Sequence, residues 1–141
     1  MLPAESDAWL QSFSLGAYRP MVRLASDSDR LFLETTGSPQ VVRSYRRKQR
    51  HILREYLKVL ARDFQRLLDI AAASQPMAFF ESQLSFIFGV LWIEARLVLE
   101  AVLSETMFPQ TIDLGPLLEN VETLAASARE IASPALRLHV T

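Results

Sequence analysis

Residues 39–73, PQVVRSYRRKQRHILREYLKVLARDFQRLLDIAAA, and residues 77–103, MAFFESQLSFIFGVLWIEARLVLEAVL, are two segments of opposite character separated only by Ser74-Gln75-Pro76. The first is a basic amphipath. Gly37-Ser38-Pro39 precedes it, with Gly suited to the end of one helix, Ser to the cap of the next and Pro to its first turn. No Pro or Gly then interrupts the chain before Pro76, which allows a helix of roughly 35 residues, about 50 Å long at 1.5 Å per residue. Val42, Tyr45, Gln49, Ile52, Leu53, Tyr56, Leu57, Leu60, Phe64, Leu67 and Ala71 recur at three- and four-residue spacing on one side. The other side carries Arg43, Arg47, Arg50, His51, Arg54, Lys58, Arg62 and Arg66.

The second segment is apolar almost all round, and a linker of three residues predicts that it folds back on the first as an antiparallel neighbour. A helix of that composition is either the dry centre of a bundle or a membrane span. Its longest charge-free stretch, Ser82 to Ile93, is about 12 residues, well short of the roughly 20 a bilayer requires. Glu94 and Arg96 would each cost about 2.5–3.5 kcal/mol near the membrane centre. The segment is therefore expected to be the buried core helix of the molecule, with no membrane span. Phe79, Phe80, Phe86, Phe88 and Trp92 then read as packing rather than as the lining of a ligand pocket. Nearly all-round apolarity also asks for more cover than two neighbours supply, which is the reason to expect a homodimer.

Outside the hairpin, Asp113 is the expected cap of a last helix running to Ala132, with Leu114, Leu117, Leu118, Val121, Leu124, Ala125, Ala128 and Ile131 as its seam. Ser133-Pro134 stops it. Trp9, Leu10 and Phe13 place two helical turns over Asp7 to Ser14; Gly16 and Pro20 suggest that residues 17–25 are mostly extended or irregular, pinned by Tyr18, Met21 and Leu24; and Asp27 caps a short helix over Ser28 to Thr35. The expected organisation is an irregular segment with short helices over 1–38, a helical bundle over 27–133 as the single domain, and a tail over 134–141. No alternating strand pattern is present. The fold class is all-α: an antiparallel three- or four-helix bundle built on a long helical hairpin.

The 141 residues carry a net charge of −1 and are half apolar, which argues against disorder. The charge is uneven, about −2 over 1–38, about +6 over 39–73 and about −5 beyond. There are no cysteines, so disulfide, thiol and thiolate–metal chemistry have no raw material. The acidic start Met1-Leu-Pro-Ala-Glu-Ser-Asp lacks the basic and apolar parts of an export signal, so cytoplasm is the default expectation. Neither His51 nor His139 has a Glu three residues before it, and no nucleophile elbow, metalloprotease helix or phosphate loop occurs. No catalytic residue, metal or cofactor is expected.

Three constellations remain. The cationic face Arg43, Arg47, Arg50, Arg54, Lys58, Arg62 and Arg66 could track a polyanion or meet an acidic partner; the plainer reading is a solvated face neutralised by Glu119, Glu122 and Glu130 of the last helix. Glu94 lies in apolar territory, where the plain reading is a buried polar lock with Arg54 or Lys58 that sets helix register. Arg46 and Glu81 intrude on apolar arcs in the same way. Ala78, Ser82, Ser85 and Gly89 form a small-residue stripe, read as close helix packing inside the chain ahead of a dimer seam. The expected function is a non-enzymatic interaction module that binds a protein partner or itself. The alternatives are nucleic-acid or polyanion binding through the 39–73 helix and apolar small-molecule binding inside the bundle, anchored by Glu94.

Overall fold

A computed structural model describes residues 4–25, 37–73, 77–102 and 112–132. Every regular element among them is helical: α1 (Ala4–Ser12), a 3-10 turn (Leu15–Tyr18), α2 (Arg19–Ala25), α3 (Pro39–Ala72), α4 (Phe80–Val102) and α5 (Gly115–Ala132). The expected helix over 28–35, the loop at 74–76 and the tail from 134 lie outside the described residues.

The start of α3 is built as its sequence suggests. The Ser38 hydroxyl accepts the Val41 N–H at 3.3 Å and Pro39 opens the first turn, where a missing N–H costs nothing. The Asp113 carboxylate accepts the Gly115 N–H at 2.9 Å at the start of α5. The hydrophobic centre lies where α3 meets α5. Leu57, Leu60 and Leu67 of α3 and Val121, Leu124 and Ala128 of α5 are buried in one cluster that draws on all five helices. Each such leucine contributes about 1.5–3 kcal/mol of transfer free energy.

α4 corrects the sequence-based expectation. It is not the dry centre of the molecule: only Phe86, Ile93 and Leu97 are buried along its length. Phe88 is 66% exposed, Trp92 73% and Val102 75%. The reason is geometric. α4 packs against α3 on one flank and α5 on the other, and two neighbours cover only the side of a helix that faces the groove between them. Among the described residues no further element packs closely over the rest. Of the five aromatic residues expected in the core, Phe86 is buried and Phe79 half-buried, while Phe80, Phe88 and Trp92 face outward.

The N-terminal segment is also more regular than expected. Residues 19–25 are helical rather than extended, because Pro20 sits in the first turn of α2, where proline is tolerated. Tyr18, Met21 and Ala25 bury one side of this stretch. Polar ties then fix the segment to the rest. The Arg129 guanidinium donates to the carbonyls of Leu10, at 3.3 Å, and of Phe13, satisfying backbone acceptors at the end of α1. Gln49 donates to the Leu24 carbonyl, the Ile112 N–H to that of Ala25 at 3.1 Å, and the Tyr18 hydroxyl to the Asp63 carboxylate. Burial, then the hydrogen bond and charge of Asp63, push the Tyr18 phenol above its ordinary pKa. Arg66 lies over the Trp9 ring, 4.3 Å from its centroid.

Candidate functional site

The outward side of α4 is the most unusual surface among the described residues. Viewed down the axis at 100° per residue, Phe86, Ile93 and Leu97 mark the buried side, and the exposed apolar residues fill roughly 140° opposite them. Leu84, Phe88, Leu91, Val98 and Val102 lie along its centre, with Ile87 on the edge toward α3 and Trp92 and Leu99 on the far edge. Together with Phe80 they present on the order of 800–900 Å² of apolar surface, more than the few hundred Å² that a monomer ordinarily leaves bare. No described helix is long and apolar enough to cross a membrane.

The two flanks of α4 differ. Against α5 the approach is close: a methyl group added at Gly89 would sit 3.1 Å from Leu117 Cδ1, and Asn120 Nδ2 donates to the Ser82 carbonyl at 3.0 Å. Within the small-residue stripe, Ser82 and Gly89 thus touch the chain's own last helix, whereas Ala78 and Ser85 are exposed. Against α3 the ring contact lies toward the 74–76 connection. There Phe64 and Phe86 stack with ring centroids 3.9 Å apart and planes 1° from parallel, which fills the space an apolar ligand beside Phe86 would need.

Farther along, the two helices leave a cleft of about 670 Å³. One wall is cationic, with Arg47, Arg50, His51, Arg54 and Lys58; the other is apolar, with Leu97, Val98, Ala101 and Val102. Val98 and Val102 belong both to this wall and to the outward face, so cleft and face are one continuous surface. Lys58 donates to Glu55 at 3.1 Å, and through that hydrogen bond and its charge holds the Glu55 carboxyl below its usual range. Arg47 and Arg54 make no ion pair or hydrogen bond among the described residues. Glu119 and Glu122 of the last helix do not reach Arg47 or Arg54. Of the remaining cationic face, Arg43 reaches only the Pro39 carbonyl, at 3.4 Å, Arg62 is exposed and Arg66 covers Trp9.

The expected lock between Glu94 and Arg54 or Lys58 is absent. Glu94 is half-buried with no ion pair or hydrogen bond among the described residues, and Lys58 takes the nearer carboxylate three residues back on its own helix. Leu97 and Val98, one turn beyond Glu94, are what face Arg54 and Lys58. Arg46 is buried at the α3–α4 junction, lining a small cleft with Glu100, whose carboxylate also lies 3.5 Å from Arg96. Sequence reasoning missed the outward residues Leu84, Phe88, Leu91 and Trp92 as a site. The signal that marks them is an apolar arc wider than two neighbouring helices can cover. No protein-family model matches this chain, and no curated protein or solved structure is similar to it.

Proposed function

We propose that this protein is a non-enzymatic interaction module, an antiparallel helical bundle built on the 39–102 hairpin, which docks a protein on the outward face of α4. One observation carries the reading: a contiguous apolar surface, centred on Phe88, Leu91 and Trp92, stands in solvent on a helix whose inner side is well packed. Apolar area of this size is favourable to bury, at about 25 cal/mol per Å² before the costs of association. It resembles the helix-in-groove and helix-on-helix modes, in which one stripe supplies the affinity and the rim supplies selectivity. The cations of α3 along one edge select a partner with acidic residues on the matching side.

The test compares wild type with Leu91→Glu, both purified from the native source and checked for unchanged helicity. The wild type is expected in a particle larger than its 16.0 kDa monomer, and the variant as a monomer. A wild type that is monomeric in the source, or a complex indifferent to Leu91→Glu, overturns the reading.

A second reading is supported by Arg47 and Arg54, which carry no carboxylate among the described residues. The stripe would then bind a polyanion, with retention on heparin that falls steeply with salt. Arg47→Gln with Arg54→Gln should abolish that retention, and retention unchanged in this pair removes the reading.

A further inference from the structure

The outward face of α4 has a spacing that its own packing does not require. Leu84, Phe88, Leu91, Ala95, Val98 and Val102 are all exposed and follow one another at intervals of four, three, four, three and four. That is a heptad seam, the pattern by which one helix meets another along its length. Met77, just before the helix, continues the seam by one heptad from Leu84 and is 81% exposed.

We infer that the occupant of this face is α4 of a second copy of the chain, running antiparallel in the register that sets Phe88 of each copy against Leu91 of the other. The inference rests on the docking role proposed above and names the partner. Three features support it.

The area fits. About 800–900 Å² on each copy is what a standard specific interface buries per partner, and an isologous two-fold contact needs only one such surface.

The volumes select the direction. The first half of the seam is bulky (Leu84, Phe88) and the second half small (Ala95, Val98, Val102). A parallel pair sets Phe88 against Phe88 and leaves a void at Ala95. An antiparallel pair lets Ala95 receive the partner's Leu84 and Val102 receive the partner's Met77, with Phe88 and Leu91 layered at the centre.

Charge selects the register. Glu81 is the one acid on the seam, exposed in the first turn of α4. A parallel pair would face it with its own copy. In the antiparallel register that covers the seam from Met77 to Val102, the partner's Glu81 lies opposite Val98 and away from its own copy. Sliding by one heptad in one sense brings the two Glu94 carboxylates together; sliding in the other sets Glu81 against Leu91 and leaves Val98 and Val102 bare.

The test uses the purified full-length chain with nothing added, followed by sedimentation. A dimer is expected at micromolar concentration, with Leu91→Glu monomeric and equally helical. Ala95→Phe, which leaves no room for the partner's Leu84, should weaken the dimer about tenfold or more. Because the chain lacks cysteine, engineered thiols report direction. Glu81→Cys combined with Val98→Cys should oxidise to a covalent dimer and neither single variant should, whereas a parallel pair joins each single variant to itself.

A monomeric wild type overturns the inference, as does cross-linking of the single variants. Binding of the monomer to anionic phosphatidylglycerol vesicles would also overturn it, in favour of a lipid surface. If the purified chain is monomeric but the particle from the native source still depends on Leu91, the docking role stands and only the second copy is lost. If a dimer forms that Leu91→Glu leaves intact, the face itself is the wrong surface.

Discussion

α3 and α4 lie side by side, and the less apolar of the two does more of the burying. α3 carries nine cations and three acids among its 34 residues and still buries Leu53, Leu57, Leu60, Phe64, Leu67, Leu68, Ile70 and Ala71. α4 has far fewer charges in 23 residues and buries three. What separates them is distribution. The apolar residues of α3 are gathered on one side, so a single approach to α5 hides most of them. Those of α4 surround the axis, so whatever packs on one side leaves the other bare. Apolar content tells how much surface seeks cover; periodicity tells whether one chain can provide it.

The comparison can be broken most forcefully by truncating leucines. Leu67→Ala in α3, at a site with no exposure, should lose about 2–5 kcal/mol of unfolding free energy. Leu91→Ala, measured in urea at concentrations where the chain is monomeric, should lose less than about 0.5 kcal/mol. Equal losses would mean that the outward face of α4 is covered within the chain.

The inner side of α4 should behave like α3. Gly89→Leu forces a branched side chain against Leu117 and should cost about 1–3 kcal/mol, with Leu117→Ala in the same chain recovering part of it. A neutral result would show that α4 and α5 stand farther apart than 3.1 Å to Leu117 implies.

The N-terminal helices supply a smaller effect. Arg129→Met leaves the Leu10 and Phe13 carbonyls without their donor and should cost about 1–3 kcal/mol. Hydrogen exchange should then accelerate in α1 ahead of α3, and uniform acceleration would deny that the guanidinium acts locally.

The smallest effect is at alkaline pH. The folded protein holds the Tyr18 proton more tightly than the unfolded chain, whose phenol titrates near pH 10. The stability this contributes is complete below about pH 10 and is lost as pH climbs above it. Tyr18→Phe should flatten that alkaline decline, and a decline of unchanged slope would remove Tyr18 as its source.

Much of the helical content was legible because it rests on local rules. Ser38-Pro39 and Asp113 announce where α3 and α5 begin, and the stripe from Leu53 to Ala71 announces which side of α3 is buried. α2 is hidden because Pro20 signals an interruption in the sequence, although the same residue is at home in a first turn. α4 was misjudged for a different reason. Burial depends on how many neighbours arrive, and nothing in residues 77–103 states that number. The candidate site was half legible: the cations from Arg47 to Lys58 and the need for extra cover were both visible. The cleft between Arg54 and Val98 was not, since it depends on where the contact of α3 and α4 loosens beyond the Phe64–Phe86 stack. The ties of Tyr18 to Asp63 and Arg129 to Phe13 join residues too far apart for any local pattern to reveal.

That last tie has a consequence for synthesis. Phe13 and the guanidinium that caps its carbonyl are separated by 116 positions in the chain. On the ribosome, at about 5–20 residues per second, the first helix waits several seconds before the element that anchors it exists. During that interval Leu10 and Phe13 have no groove on that element to enter, and the nascent chain offers them to whatever binds emerging apolar peptides.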